Sequence, residues 1–167
     1  MMQRLATISI LCLLLAAPAW AKCEGPEYRQ FDFWLGEWDV KNLGNGRTGA
    51  VNRLTAAYDG CVIREEYTAA GPYSGTSLNF YDKKTGKWHQ TWIDNQGGPL
   101  FLAGGLEDGK MVLASDPGVL PVQRITWTPN PDGSVRQHWE SSADGKTWTT
   151  VFDGLYTRRG ETAGKKQ

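Results

Sequence analysis

The sequence predicts one all-β domain, an antiparallel up-and-down barrel of about ten strands with a short N-terminal helix. Short runs rich in β-branched and aromatic residues follow one another from position 37 onward. Asp-Gly pairs separate several of these runs and tolerate the positive φ of tight hairpin turns. The length of 167 residues suits one hydrophobic core rather than two. These three observations favour hairpin-linked strands in a single domain.

The N-terminus has the pattern of a secretory signal peptide. Arg4 gives a basic start, residues 5–17 are almost wholly apolar, and Ala19-Trp20-Ala21 offers small residues at the two positions that signal peptidase reads. We therefore expect residues 1–21 to be removed and residues 22–159 to form an exported barrel domain. The apolar stretch is shorter than the about 20 residues that a membrane-spanning helix needs. We expect no membrane span.

Two cysteines, Cys23 and Cys61, remain after the predicted cleavage. In an oxidising compartment they most simply form one disulfide that ties the mature N-terminus to a later strand. Chain-entropy models assign such a bridge roughly 3 to 4 kcal/mol of stabilisation. A catalytic thiol or a metal site is the alternative, but the chain has neither a Cys-x-x-Cys spacing nor a nearby histidine. Cys23 follows Lys22 rather than a small residue, which argues against a lipid anchor.

One or two helical turns are predicted between Glu27 and Leu35, because Phe31, Trp34 and Leu35 recur at a helical spacing before Gly36. We expect this segment to plug the barrel. The candidate strands that follow are Glu37 to Leu43, Gly49 to Tyr58, Cys61 to Ala69, Gly75 to Asp82, Lys87 to Asp94, Leu100 to Leu106, Lys110 to Ser115, Gln123 to Pro129, Ser134 to Ser141 and Thr147 to Arg158.

The short connections predict that consecutive strands pair as hairpins. Closure of the sheet into a barrel would remove its two unpaired edges, and a two-sheet sandwich is the alternative. The polar tail, residues 160–167, is expected to be disordered.

The run Phe31-Asp32-Phe33-Trp34-Leu35-Gly36-Glu37-Trp38-Asp39-Val40 resembles the opening of a family of bacterial exported proteins in the lipocalin-like (calycin) superfamily. Residues 75–82, 88–92, 104–111 and 152–156 continue the resemblance. Lipocalin-like proteins generally open with Gly-x-Trp at the first strand, and Gly36-Glu37-Trp38 is similar to that element. The resemblance implies a β-barrel with an interior pocket and no particular activity.

Trp38, with Gly36 before it, is predicted to close the barrel floor in a structural role. Direct contact of Trp38 with a ligand is the alternative. A cation over its ring would contribute on the order of 0.5 to 2 kcal/mol, and Arg158 or Arg159 on the last strand is a candidate.

Alternating side chains on two strands indicate a binding pocket. Trp88, Gln90 and Trp92 share one face of their strand, and Gln137 and Trp139 share a face of another. Aromatic walls with a few placed polar groups are typical of small-molecule sites. The alternative is that these tryptophans pack outside against long charged side chains.

Either face of the strand from Cys61 to Ala69 could point into the barrel. Arg64 and Glu66 share one face, which would either point inward as a pair that orients a polar ligand group or be solvated. Ile63, Glu65 and Tyr67 share the other face. Asn79 on the next strand could add hydrogen bonds. The candidate ligand-binding residues are Arg64, Glu66, Asn79, Trp88, Gln90, Trp92, Gln137 and Trp139.

No motif for nucleophilic, metal-dependent or phosphate chemistry is present in the sequence. His89 and His138 lie within alternating strands and are expected to be exposed or packed rather than catalytic or haem-ligating. The run Asp94 to Gly98 lacks the spacing of a calcium loop and predicts a turn. The charge is balanced, with 18 basic and 18 acidic residues, so the sequence does not show the excess of basic residues that is typical of nucleic-acid-binding proteins.

The leading functional interpretation is an exported protein that binds a small apolar or amphipathic molecule inside the barrel. Two alternatives stay open. One is an enzyme that uses Arg64, Glu66, Gln90 and His138 on a small substrate, and the other is a structural or interaction protein with a filled barrel. Neither a cofactor nor a metal is predicted, and the sequence does not indicate the ligand or the oligomeric state.

Overall fold

Ten antiparallel strands in up-and-down order close into a barrel in which each strand pairs with the next and the last pairs with the first. A computed structural model describes residues 23–160. Two short 3-10 helices, Pro26–Arg29 and Asp32–Trp34, precede the barrel. The strands are β1 (Gly36–Asn42), β2 (Ala50–Ala57), β3 (Val62–Thr68), β4 (Ser74–Asp82), β5 (Lys87–Asp94), β6 (Pro99–Glu107), β7 (Lys110–Ala114), β8 (Val122–Pro129), β9 (Val135–Ser142) and β10 (Thr149–Arg158).

The predicted fold class is confirmed, and the sheet closes as a barrel rather than splitting into a sandwich. Every predicted strand is present, with bounds that differ by two residues or fewer. The predicted helical turns are the two 3-10 helices. The predicted signal peptide, residues 1–21, lies outside the described residues, as do residues 161–167 of the predicted tail, so both stay predictions.

The turn between β6 and β7 shows why Asp-Gly pairs punctuate this chain. Asp108 has φ +47° and Gly109 has φ +77°. Two successive left-handed residues form the turn that matches the right-handed twist of a hairpin, and aspartate and glycine are among the residues that tolerate it best.

The barrel floor is the end of the barrel where Phe31 and Trp34 pack against Trp38, Trp88 and Trp127. Phe31 and Trp34 are both 0% exposed, and their rings stack with centroids 5.0 Å apart. Trp127 lies 5.2 Å from each of these two rings, and the Trp88 ring meets Phe31 edge-on at 5.6 Å. The 3-10 segment therefore fills this end of the barrel with aromatic side chains.

Arg158 holds Trp38 in the floor. Its guanidinium carbon lies 4.6 Å from the centroid of the Trp38 ring, and its Nη1 donates a hydrogen bond to the Leu35 carbonyl at 3.2 Å. Gly36 has φ +133°, and a Cβ there would lie 2.7 Å from that same Nη1. Glycine therefore permits the close approach, and Arg158 rather than Arg159 is the cation over the ring.

A disulfide between Cys23 and Cys61 fastens the N-terminal segment to the start of β3, as predicted, with 5.1 Å between the Cα atoms. Arg29 reinforces this connection because its Nη2 donates hydrogen bonds to the carbonyl oxygens of Gly60 at 2.5 Å and Cys23 at 3.2 Å. The floor is thus tied covalently to the barrel wall.

Candidate functional site: the barrel cavity

A cavity of about 230 Å³ occupies the barrel interior on the side away from the floor. Its wall is mainly aromatic, with a few polar groups. A neighbouring depression of about 400 Å³ shares Tyr67, Tyr73 and Phe152 with it. The residues that line the cavity are Glu65, Tyr67, Tyr73, Gln90, Trp92, Leu100, Ile125, Gln137, Trp139, Val151, Phe152 and Tyr156.

Two indole rings form walls of the cavity, and neighbouring residues fix both. The Trp92 ring lies over Gly75 on β4, where a Cβ would overlap it, and meets the Tyr67 ring edge-on with centroids 6.4 Å apart. Trp139 Nε1 donates a hydrogen bond to Gln123 Oε1 at 2.7 Å, while Gln123 Nε2 donates to the Ser141 hydroxyl at 2.9 Å. These contacts hold the two aromatic walls in place without a ligand.

A β-bulge shapes the rim of the cavity. The pairing of β10 with β9 shifts between Thr150 and Phe152, which leaves Val151 as the extra residue. A bulge of this kind re-aims side chains. Here Val151 and Phe152, two consecutive residues, both contribute to the cavity wall.

Glu65 on β3 is the polar centre of the cavity wall. Its Oε1 accepts a hydrogen bond from Asn52 Nδ2 at 2.9 Å, and its Oε2 accepts one from the Ser77 hydroxyl at 2.5 Å. Asn79 Nδ2 donates in turn to the Ser77 hydroxyl oxygen at 2.8 Å. Glu65 is 3% exposed and is the only buried charged residue among residues 23–160.

Burial raises the pKa of Glu65 from 4.5 to about 7, and the hydrogen bonds from Ser77 and Asn52 lower it in part. Burial, followed by the charge of Glu65, also raises the pKa of Tyr67 and raises that of Tyr156 well above its usual value. A buried carboxyl group with a perturbed pKa on a cavity wall marks a candidate functional site.

Most of the predicted pocket residues face the barrel interior. Gln90, Trp92, Gln137 and Trp139 line the cavity. The Trp88 indole lies in the floor, where its Nε1 donates 3.2 Å hydrogen bonds to the Glu27 carbonyl and to Gln30 Oε1. Asn79, already placed next to Ser77, is 0% exposed behind the Glu65 carboxylate rather than on the cavity wall.

Arg64 and Glu66 do not line the cavity, so their assignment as ligand-binding residues is wrong and the alternative of a solvated face is confirmed. Their side chains are 53% and 49% exposed on the outer face of β3, with a loose 3.6 Å ion pair between them. The inward face carries Ile63 and Glu65, which pair with Asn79 and Ser77 on the neighbouring strand β4. Both faces of this strand contain a glutamate, and Glu65 is the buried one.

His138 also lies away from the cavity wall, with its Nε2 3.0 Å from the Thr150 hydroxyl. The enzyme hypothesis named Arg64, Glu66, Gln90 and His138, and of these only Gln90 lines the cavity. The hypothesis missed Glu65, although its position between Ile63 and Tyr67 on a largely apolar face was visible in the sequence.

The run Asp94 to Gly98 is a turn, as predicted, because Asp94 Oδ1 accepts hydrogen bonds from the backbone N–H groups of Gln96 and Gly98, both at 2.9 Å. Within residues 23–160, no three His, Cys, Asp or Glu side chains are grouped so that they could hold a metal ion. None of the helices in this described range is long and apolar enough to cross a membrane.

Comparison of the sequence with protein-family models and with curated proteins gave no match.

Proposed function

We propose that the protein is exported and binds a small, mainly apolar molecule in the barrel cavity. The observation that carries the proposal is an aromatic cavity with few, placed polar groups, since sites of this composition are typical of small-molecule recognition. The indole walls are already held by Gly75 and Gln123, so binding would require little ordering of side chains. The resemblance of residues 31–40 to lipocalin-like proteins implies a barrel with an interior pocket, which is compatible with this proposal.

Export is supported by the signal-peptide pattern of residues 1–21 and by the Cys23–Cys61 disulfide, because disulfides persist in oxidising compartments. Native mass spectrometry of protein purified from its own compartment tests both points. The expected mass is that of a chain cleaved after Ala21 together with a released small passenger. An intact N-terminus would contradict export.

A matched pair of variants tests whether binding takes place in the cavity. Leu100 lines the cavity, whereas the next residue, Phe101, is 62% exposed on the outer face. We expect Leu100→Trp to fill part of the cavity and weaken binding of 2-phenylethanol about tenfold, and Phe101→Trp to leave the affinity unchanged. Isothermal titration measures both. Failure of the wild type to bind, or equal affinities of the two variants, would contradict the proposal.

A further inference from the structure

We infer that the cavity selects an organic cation: a small aromatic or alkyl amine whose ammonium group pairs with Glu65 while its apolar body packs against the indole walls. The inference rests on the proposed function and names the chemical class of the ligand. Three features of the cavity support it, namely an acidic group without a counter-ion, aromatic residues in the same cavity wall, and a volume that suits one small molecule.

Glu65 has no counter-ion in the described part of the chain. None of the residues that line the cavity is Lys, Arg or His. The partners of the Glu65 carboxylate, Asn52 and Ser77, are neutral, and each of its oxygens accepts one protein hydrogen bond. A carboxylate oxygen can accept a second hydrogen bond, so acceptor capacity remains at the cavity wall for a donor from the ligand. A buried carboxylate is costly unless a cation pairs with it, and a bound ammonium would supply that cation.

The surroundings of the carboxylate suit a cation in a second way. Tyr67, Trp92, Trp139, Phe152 and Tyr156 all contribute to the cavity wall. The faces of aromatic rings attract cations through their quadrupoles, and recognition of alkylammonium groups by several rings is an established use of this interaction. Gln137 Oε1 accepts a hydrogen bond from the Tyr156 hydroxyl at 2.5 Å, which fixes the positions of both side chains in the cavity wall.

The cavity volume limits the size of the amine. An apolar cavity of about 150 Å³ holds one benzene molecule. The 230 Å³ available here therefore suits one ring with a short chain. These dimensions lead to 2-phenylethylamine as a probe and to 2-phenylethanol as its neutral counterpart of nearly equal shape.

The substitution Glu65→Gln removes the charge and preserves the shape of the side chain. The Asn52 Oδ1 atom is buried without a hydrogen-bond partner, so rotation of the Asn52 amide would let it accept from the new glutamine N–H. The Ser77 hydroxyl would still have an oxygen to which it can donate. Glu66→Gln is the matched control, since it removes the same charge from the neighbouring, outward-facing residue.

The test is isothermal titration of the wild type and both variants at pH 8 with the amine and with the alcohol. We expect the wild type to prefer 2-phenylethylamine over 2-phenylethanol by about tenfold or more. Glu65→Gln should weaken amine binding about 30-fold, as expected for the loss of a buried charge partner, and change alcohol binding less than about threefold. Glu66→Gln should behave as the wild type.

Four results would overturn the inference. Equal or better binding of the alcohol by the wild type, or an amine preference that survives Glu65→Gln, would refute cation selection and leave the binding proposal standing. Loss of alcohol binding in Glu65→Gln would assign Glu65 a structural role instead. Absence of binding for both probes to the wild type would overturn the inference together with the proposed function.

Discussion

The barrel floor and the cavity are built from the same residue types but have opposite properties. At the floor, Phe31 and Trp34 enter from the 3-10 segment and occupy the interior between the strands. In the other half of the barrel no such segment enters among the described residues, and Trp92 and Trp139 surround a space instead. A segment outside the sheet, and not the strand alternation, therefore decides which half of this barrel is filled.

The two regions also differ in their polar groups. Trp34 Nε1 and Trp127 Nε1 are buried in the floor without hydrogen-bond partners, a cost that close aromatic packing offsets. The cavity wall holds a network around Glu65 in which acceptor capacity remains. The floor is therefore suited to stability, and the cavity wall is suited to recognition.

Replacement of a tryptophan by alanine should destabilise the protein more in the floor than in the cavity wall. Trp34→Ala should cost about 3 to 5 kcal/mol, because it leaves a void among Phe31, Trp127 and Tyr156. Trp92→Ala should cost about 2 kcal/mol, because one side of that ring already faces the cavity. Urea denaturation measures both values. Equal losses would show that the cavity half is packed as tightly as the floor.

The free energy of unfolding should depend on pH through Glu65. The folded-state pKa of Glu65 is raised to about 7 from 4.5, so the unfolded chain ionises first as the pH rises. The free energy of unfolding should therefore fall between pH 5 and pH 8 by on the order of 3 kcal/mol relative to Glu65→Gln. Urea denaturation at the two pH values gives this difference. Glu66→Gln should keep the wild-type pH dependence, and an unchanged pH dependence in Glu65→Gln would contradict the assignment.

Replacement of Arg158, whose guanidinium group lies over the Trp38 ring, should cause a smaller loss of stability. Arg158→Met keeps an apolar stem but removes the cation over Trp38 and the hydrogen bond to the Leu35 carbonyl, at a cost of about 1 to 2 kcal/mol. Arg159→Met, whose side chain is 50% exposed and 3.8 Å from Asp39, should cost less than about 0.5 kcal/mol. Thermal unfolding ranks the two variants. The reverse order would show that Trp38 does not depend on Arg158.

Much of the fold was predictable because it depends on local signals. Strand alternation and Asp-Gly turns are encoded within short segments, and a meander of hairpins needs little else. The interior position of Gln90 and Trp92 followed from the same alternation. The apolar neighbours Ile63 and Tyr67 marked the inward face of β3, but the contact of Glu65 with Ser77 could not be predicted, because it depends on the register of β3 with β4.

The sequence predicted a pocket but not which part of the barrel interior is open and which part is filled. Trp88 and Trp92 share one face of β5, yet Trp88 packs in the floor and Trp92 lines the cavity. Their different surroundings depend on how far Phe31 reaches across the barrel, which is a property of tertiary packing rather than of periodicity.

The pairing of β1 with β10 has a consequence for the order of events during folding. Every other pairing joins strands that are consecutive in the chain, so those hairpins can form as soon as both strands are available. Until the final strand docks, β1 and β9 each present an unpaired edge to other chains. A nascent or truncated chain that ends between residues 142 and 149 would therefore keep both of these edges exposed. Docking of β10 covers both edges at once and thereby protects the sheet from intermolecular strand addition.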